Sequence, residues 1–258
     1  MITEVDKMYE KYAVLNGAEE FYIQGGDIGI LLSHGFIGTP QSVRYLGEKL
    51  ATYKYTVFAP RLKGHGTHYN DLEKCHYEDW YHSIKTGYEL LKTRCETIFV
   101  IGQSMGGTLA LHLVHEFELS GAILINPALT IPSYEHLKGK SAPRFIEEGK
   151  PDIKAKDVTE IAYEKVPLTA IHQLQTLMEQ TPTILSEIHT PILGIQSAVD
   201  HVVPPENTDF ILQQVKSETK EKVILPNSYH VASMDNDKDI IVETAHQFIF
   251  EQIKEKVF

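Results

Sequence analysis

A serine flanked by glycines is the first place in this sequence where residue types and spacing could support chemistry. Ser104 lies within Gly102-Gln103-Ser104-Met105-Gly106-Gly107, after an apolar run that ends at Ile101. Glycines two residues before and after the serine let a strand and a helix approach each other closely around a strained turn. The pattern predicts an exposed nucleophile above a helix N-terminus, where the helix dipole favours developing negative charge. A glycine-rich turn with an inert serine is the alternative.

A serine hydroxyl is a poor nucleophile, so it needs a base and a group that orients the base. Asp200 follows the apolar run 192–196, and His230 follows the run 222–225 and a short loop. This chain order, with each residue after a strand, is that of hydrolases with a nucleophile elbow. We therefore predict Ser104 as nucleophile, His230 as base and Asp200 as its orienting acid. Three neighbours fit the strand ends less well: His201, Asp235 and Asp237.

The loop after an early apolar run offers groups that could stabilise an oxyanion. His34-Gly35-Phe36-Ile37-Gly38 follows the run 29–33, and a loop of this kind is expected to supply one backbone donor. We predict an oxyanion hole formed by the backbone N–H groups of Phe36 and Met105. His34 is expected to brace the loop rather than to act as the base.

Alternating apolar and amphipathic stretches indicate the fold that must position these residues. Apolar runs rich in Val, Ile and Leu predict buried strands at 29–33, 55–59, 97–101, 121–125, 191–195 and 222–225. Amphipathic patterns predict helices at about 41–52, 78–93, 105–116, 206–216 and 238–255. This alternation predicts an α/β fold with a mostly parallel central sheet flanked by helices. We also expect an N-terminal hairpin between residues 21–24 and 29–32, turning at Gly25-Gly26-Asp27.

The stretch between the strands near 121–125 and 191–195 is longer than a crossover connection needs. It contains an apolar stripe at helical spacing: Leu168, Ile171, Leu174, Leu177 and Met178. We predict a core formed by residues 1–126 and 186–258, with a small cap and a crossover helix over 127–185. The stripe is expected to line an acyl pocket. A surface excursion without a role in binding is the alternative.

Composition and charge exclude several classes of protein. The 258 residues are 42% hydrophobic and 23% charged, which is typical of one folded domain. The formal charge of −11 makes nucleic acid an unsuitable partner. No apolar run approaches the roughly 20 residues of a transmembrane segment, so we expect a cytoplasmic protein. Neither a metal site nor a cofactor is implied, and the sequence leaves the oligomeric state open.

Five motifs together resemble those of the bacterial monoacylglycerol lipases and their carboxylesterase relatives. They are residues 34–40, 61–68, 102–108, 200–205 and 227–231. The resemblance implies an α/β-hydrolase fold with an eight-stranded, mostly parallel sheet and a small lid. It also implies hydrolysis, without a cofactor, of a small-molecule acyl ester: monoacylglycerols, or other short- and medium-chain esters. A general carboxylesterase or thioesterase acting on non-glycerol substrates is the alternative within this fold, and a binding protein without turnover is the alternative outside enzymes.

The same resemblance implies a glutamate in the cap that contacts the glycerol hydroxyls. The segment Glu160-Ile161-Ala162-Tyr163-Glu164-Lys165 is similar to the one that carries this residue in the monoacylglycerol lipases. We therefore expect Glu160 to bind the substrate, with Glu164, one turn away, as the other candidate. A solvated helix face is the alternative for either glutamate.

Overall fold

A central sheet dominates the structure, a computed structural model that describes residues 10–255. Nine strands occur within this range: β1 Phe21–Ile23, β2 Ile28–Ser33, β3 Thr56–Ala59, β4 Thr97–Gln103, β5 Gly121–Ile125, β6 Phe145–Glu147, β7 Lys165–Pro167, β8 Ile192–Ser197 and β9 Lys220–Leu225. The helices are α1 Gln41–Thr52, α2 Tyr69–Leu72, α3 Tyr77–Lys92, α4 Met105–Glu116, α5 Pro132–Glu135, α6 Leu168–Ile184, α7 Glu206–Gln214 and α8 Lys238–Glu255. The α/β prediction is confirmed.

Seven of the strands form one mixed sheet in the order β1-β3-β2-β4-β5-β8-β9. β1 is antiparallel to β3, and the other neighbouring pairs are parallel. The described part of the chain thus has one strand fewer in this sheet than the eight that the resemblance implied. β6 and β7 form a separate antiparallel pair, because they lie in the long stretch between β5 and β8.

The parallel strands end nearly level with one another. Ser33 at the end of β2 pairs with Gly102, Gln103 pairs with Ile125, and Ser197 pairs with Leu225. The loops that follow these strands therefore open at one edge of the sheet, where open α/β sheets bind their ligands.

The expected N-terminal hairpin is wrong. β1 pairs with β3, whereas both edges of β2 are occupied by β3 and β4. The turn after β1 instead contacts the chain before β3, where the Gly26 N–H donates to Lys54 O at 2.6 Å. A glycine turn produces a hairpin only when the next strand has a free edge, and the parallel pairs leave β2 none.

Helices cover both faces of the sheet, which explains why its inner strands are mainly apolar and buried, whereas the edge strand β9 begins with Lys220, Glu221 and Lys222. In β4, Ile98 and Val100 pack on the side of α3, α4 and α6, while Phe99 and Ile101 pack on the side of α1 and α8. Each such side chain removed from water contributes about 2 kcal/mol to the folded state. The two packed faces hold the strand ends, and with them the following loops, in fixed relative positions.

The stretch between β5 and β8 contains α5, β6, β7 and α6. The predicted stripe does lie on one helix, α6, and its residues Leu168, Ile171, Leu174, Leu177 and Met178 are all buried. The expectation that this stripe lines an acyl pocket is wrong, because it belongs to the core that α6 shares with α3 and α4. The division into a core and a cap at residues 127 and 185 stays a prediction. None of the helices within residues 10–255 is long and apolar enough to cross a membrane.

Candidate active site

Ser104 lies in a sharp turn between β4 and α4. Its φ of 56° places it in the left-handed region, which is strained for a residue with a side chain. The turn is compact: a Cβ atom on Gly102 would lie 2.1 Å from Gly106 O, and one on Gly106 would lie 2.3 Å from Ser33 O. Only glycine permits this approach, as the sequence pattern predicted. The Ser104 N–H donates to Ile125 O of the neighbouring strand at 2.9 Å, which ties the turn to the sheet.

The three residues predicted to act together are joined by hydrogen bonds. His230 Nε2 lies 2.9 Å from Ser104 Oγ, and His230 Nδ1 lies 2.8 Å from Asp200 Oδ2. A carboxylate only accepts, so Nδ1 carries the proton and Nε2 accepts from the serine hydroxyl. This arrangement can remove a proton from Ser104 and stabilise the charge that forms on the imidazole.

Asp200 is held in place by its own turn. Its Oδ1 accepts the backbone N–H groups of Val202 at 2.8 Å and Val203 at 2.9 Å, which leaves Oδ2 for His230. Its side chain is 1% exposed. The carboxylate is thereby fixed in one orientation, and so is the imidazole that it contacts.

The alternatives near these residues have other partners. His201 Nδ1 lies 2.8 Å from Asp152 Oδ1. Asp235 and Asp237 accept backbone N–H groups instead, that of Tyr229 at 2.9 Å and that of Asn227 at 2.7 Å. Each of the three thus has a structural role in the loops around the site, and none is needed to explain the imidazole's orientation.

The loop after β2 lies directly against the serine. A Cβ atom on Gly35 would stand 3.3 Å from Ser104 Cβ and 3.8 Å from its Oγ. Phe36 is the next residue, and Met105 begins α4. Within residues 10–255, neither of their backbone N–H groups donates to another protein group. Free donors on either side of a nucleophile are the requirement of an oxyanion hole.

His34 braces this loop, as predicted. Its Nδ1–H donates to Gly35 O at 2.9 Å, and its Nε2 accepts the Leu62 N–H at 3.2 Å. Burial and the neighbouring His65 hold the pKa of His34 well below its usual value. The lowered pKa favours the neutral ring, in which Nδ1–H donates and Nε2 accepts, as both hydrogen bonds require.

An aromatic cluster packs beneath the same loop. The Phe36 ring lies 5.5 Å from Trp80 and 6.1 Å from His65, measured between centroids. Burial lowers the pKa of His65 to about 4, so this ring is also neutral near pH 7. The cluster fixes the side chain of Phe36 and leaves its backbone N–H unpaired.

Glu160 lies beside the predicted oxyanion loop, residues 34–38 after β2. A Cβ atom on Gly38 would stand 2.6 Å from Glu160 Oε1, so the absence of a side chain at residue 38 makes room for the carboxylate. Burial raises the pKa of Glu160 to about 7, although His230 and the Ser42 hydroxyl act in the opposite direction. Glu164, the other candidate, is exposed. Of the two glutamates, Glu160 is the one that lies beside Gly38 and within range of a charge interaction with His230.

A buried asparagine directly after β5, Asn126, was not predicted from the sequence. Asn126 Nδ2 donates to Ser197 Oγ and to His230 O, each at 2.9 Å, and its Oδ1 accepts the Ser197 N–H at 2.7 Å. It therefore joins the end of β8, three residues before Asp200, to the histidine loop. A polar residue directly after a strand of the parallel sheet was the only signal available for it.

Asp152 was missed as well, and it links the long insertion to both late loops. Its Oδ2 accepts the backbone N–H groups of His201 at 3.1 Å and His230 at 3.2 Å, and its carbonyl oxygen accepts the Val231 N–H at 3.1 Å. No periodicity marks this residue, because its partners lie 49 and 78 positions away in the sequence.

Known proteins resemble this chain over most of its length. The family described as serine aminopeptidase, S33, matches residues 27–237. A thermostable monoacylglycerol lipase from Bacillus sp. (strain H-257) is 49% identical over 244 residues, which are 93% of this chain and 98% of that protein. A carboxylesterase from Bacillus subtilis (strain 168) is 29% identical over 244 residues, covering 89% and 95% of the two chains.

Solved structures of lipolytic enzymes also resemble this chain over most of its length. A structure of the metagenome-derived lipolytic enzymes LipS and LipT superposes with a TM-score of 0.90 at 41% identity, covering 93% of this chain and 100% of that one. A monoacylglycerol lipase from Paleococcus ferrophilus superposes with a TM-score of 0.75 at 15% identity, covering 90% and 98%, which shows the fold alone.

The parallel sheet, the strained serine turn and the hydrogen-bonded serine, histidine and aspartate define the class, a serine hydrolase of the α/β-hydrolase fold. Within that class, the chain belongs to the serine aminopeptidase S33 family.

Proposed function

We propose that this protein hydrolyses monoacylglycerols, and other short- and medium-chain carboxylic esters, through an acyl-enzyme formed on Ser104. The observation that supports this most is the continuous path from Ser104 Oγ through His230 to Asp200, with contacts of 2.9 and 2.8 Å. The 49% identity to a monoacylglycerol lipase supports the choice of glycerol esters within the class.

In the first half of the reaction, Ser104 Oγ attacks the ester carbonyl carbon while His230 Nε2 takes the hydroxyl proton. Asp200 keeps the Nδ1–H tautomer and stabilises the imidazolium. The imidazolium then gives its proton to the alcohol oxygen as the ester bond breaks. The alcohol leaves, and the acyl group stays on the serine.

Negative charge on the former carbonyl oxygen is stabilised by the backbone N–H groups of Phe36 and Met105. The Met105 N–H stands at the N-terminus of α4, where the helix dipole adds to its effect. In sites of this type, one donor contributes about 3 kcal/mol of transition-state stabilisation. The donors carry no competing protein partner in residues 10–255, so no bond has to break before the oxyanion forms.

In the second half of the reaction, water takes the place of the departed alcohol. His230 Nε2, neutral again, takes a proton from this water as it attacks the acyl carbon. The tetrahedral oxyanion meets the same two N–H groups, and collapse returns the proton to Ser104. Fatty acid is released and the resting state is restored without any cofactor.

The alcohol side of the substrate is assigned to Glu160, on the segment that we propose as part of a cap over residues 127–185. Its carboxylate lies beside Gly38 and close enough to His230 for a charge interaction, which supports placing it on the side of the site where the alcohol leaves. A carboxylate accepts hydrogen bonds from hydroxyl groups, and charge-assisted bonds are stronger than neutral ones. The free hydroxyl groups of a monoacylglycerol provide such donors, whereas methyl and aryl esters do not.

A matched substrate panel tests this assignment. We expect 1-lauroylglycerol to be hydrolysed with a higher kcat/KM than methyl laurate, and lauroyl-CoA to be a poor substrate. Equal kcat/KM for the glycerol and methyl esters would indicate a general carboxylesterase. A preference for lauroyl-CoA would indicate a thioesterase.

The glutamate is tested with a conservative pair of variants. At pH 8, where a group with a pKa of about 7 is mostly ionised, Glu160→Gln should raise the KM for 1-lauroylglycerol about 10-fold, because it removes a charge-assisted acceptor, and should change p-nitrophenyl butyrate hydrolysis less than two-fold. Glu164→Gln, which alters an exposed carboxylate four residues along the chain, should leave the KM and kcat for both substrates unchanged. An unchanged KM in Glu160→Gln would remove Glu160 from the substrate site.

A further inference from the structure

The side-chain amide of Gln41 brackets Glu160. Gln41 Oε1 accepts the backbone N–H of Ile161 at 2.9 Å, and Gln41 Nε2 donates to the backbone carbonyl of Thr159, also at 2.9 Å. The two backbone groups belong to the residues directly before and after the glutamate. One amide thus fixes the peptide groups on both sides of Glu160.

The backbone around Glu160 has no regular secondary structure to hold it. Residues 158–163 lie between the turn near 156–157 and β7, outside any helix or strand. A residue in such a segment depends on side-chain partners for its orientation. Gln41 supplies two hydrogen bonds at the point where they constrain the glutamate most.

Gln41 is itself rigidly placed. It is the first residue of α1, whose residues Val43, Leu46 and Leu50 are buried against the sheet. It also follows directly on the oxyanion loop, with Gly38 three residues earlier. The amide therefore connects the loop that lies against Ser104 to the segment that carries Glu160.

We propose that Gln41 is a positioning residue for the alcohol subsite, holding the Glu160 carboxylate beside Gly38 so that it can accept a hydroxyl group of the departing alcohol. This inference rests on the proposed function, because it concerns the same glycerol subsite. It defines the favoured substrates chemically: monoesters of polyols, whose alcohol retains at least one free hydroxyl group. Esters whose alcohol has no such group do not use the Gln41–Glu160 pair.

The test separates positioning from general support of the fold. Gln41→Met keeps most of the side-chain volume and removes both hydrogen bonds; Gln41→Ala is the second variant should the methionine variant not fold. kcat and KM are measured for 1-lauroylglycerol and for p-nitrophenyl laurate, which share an acyl chain but differ in free hydroxyl groups. We expect the KM for 1-lauroylglycerol to rise about 10-fold, while kcat/KM for p-nitrophenyl laurate changes less than two-fold.

A double-mutant cycle with Glu160→Gln completes the test. Because Gln41 is proposed to act through Glu160, the double variant should have the same KM for 1-lauroylglycerol as Glu160→Gln alone. Gln173→Ala is the matched control, since Gln173 accepts the Tyr77 N–H at 3.2 Å and so also links the insertion to the core. It should leave the ratio of the two substrates unchanged.

The possible results distinguish a positioning role of Gln41 from a general role in the fold. A loss that is equal for the two esters, or additive in the double variant, would show that Gln41 only supports the fold. An effect of Glu160→Gln without an effect of Gln41→Met or Gln41→Ala would overturn the inference and leave the proposed function standing. No effect of Glu160→Gln on 1-lauroylglycerol would overturn both the glycerol subsite and the role of Gln41.

Discussion

Two carboxylates near the serine are held in opposite ways. Asp200 follows a strand of the central sheet and accepts two backbone N–H groups as well as the imidazole. Glu160 lies on an irregular segment of the insertion, and burial raises its pKa to about 7. Asp200 is thus held by three hydrogen bonds, whereas the main influence on Glu160 is burial, which the Ser42 hydroxyl and His230 oppose.

The difference has a physical meaning. In the proposed mechanism Asp200 holds one orientation through every step, and a strand end packed on both faces provides the rigidity for that role. Glu160 is proposed to accept a hydrogen bond from the substrate alcohol, which would compensate for the burial of its carboxylate. Chemistry that is common to all esters would then come from the sheet edge, and selection of the alcohol from the insertion.

Ser104→Ala removes the proposed nucleophile at the sheet edge and is expected to have the largest effect on activity. We expect kcat/KM to fall at least about 10⁴-fold for both 1-lauroylglycerol and p-nitrophenyl butyrate, because both use the same nucleophile. Labelling by a fluorophosphonate probe should also be lost, with the circular dichroism spectrum unchanged. Ser186→Ala, which alters an exposed serine, should keep full activity. Substantial turnover by pure Ser104→Ala protein would disprove the assignment of the nucleophile.

Glu160→Gln tests the difference between the Glu160 and Asp200 carboxylates through the pH dependence of the free energy of unfolding. A pKa raised from 4.5 to about 7 means that the folded state holds the proton more tightly than the unfolded state. Burial of the Glu160 carboxyl group therefore leaves the free energy of unfolding unchanged below about pH 4.5. Between pH 4.5 and pH 7 it lowers the free energy of unfolding progressively, by about 3 kcal/mol at pH 7. The variant should therefore unfold at higher denaturant concentration than the parent at pH 8 and at the same concentration at pH 4.

A control keeps this result specific. Glu164→Gln should show the parent's stability at both pH values, because Glu164 is exposed. If Glu160→Gln were no more stable than the parent at pH 8, burial would not destabilise the Glu160 carboxylate, and the proposed difference from Asp200 would be disproved.

Asp235→Asn weakens the contact between the insertion and the loop that carries His230. Its carboxylate is 1% exposed and accepts four backbone N–H groups: those of Lys154, Ala155, Tyr229 and Asn236. An asparagine retains one accepting oxygen, so we expect a loss of about 2 kcal/mol in the free energy of unfolding, or about 5 °C in Tm. Amide hydrogen exchange should accelerate at residues 154 and 155 of the insertion.

Asp237→Asn separates this effect from a general weakening of the loop. Asp237 is also buried, but it accepts the Asn227 N–H, within the histidine loop itself. We expect faster exchange at residue 227 and unchanged exchange at 154 and 155. Equal exchange rates in the insertion for the two variants would mean that Asp235 does not attach the insertion to the histidine loop.

The parts of the fold that were predicted correctly share a local signal. The turn at Ser104 needs glycines at fixed offsets, and α6 shows its buried stripe in the spacing of its apolar residues. The hairpin failed because strand pairing depends on which edges are free, and a local turn pattern does not contain that information. The acyl-pocket role of the stripe failed for the same kind of reason, since an apolar face does not specify its partner.

The sequence by itself determined the class of fold, the strand ends at which Ser104, Asp200 and His230 lie, and the family to which the chain belongs. The fold class and the strand ends depend on side-chain periodicity and on close backbone approaches that only glycine permits, and the family depends on short motifs; all of these are local features of the sequence. Tertiary structure alone decided that Asn126 and Asp152 join the late loops, and that Gln41 bonds the two neighbours of Glu160, which lie 118 and 120 positions away in the sequence. A hydrogen bond between distant residues leaves no periodic trace, because its geometry exists only once the strands have packed.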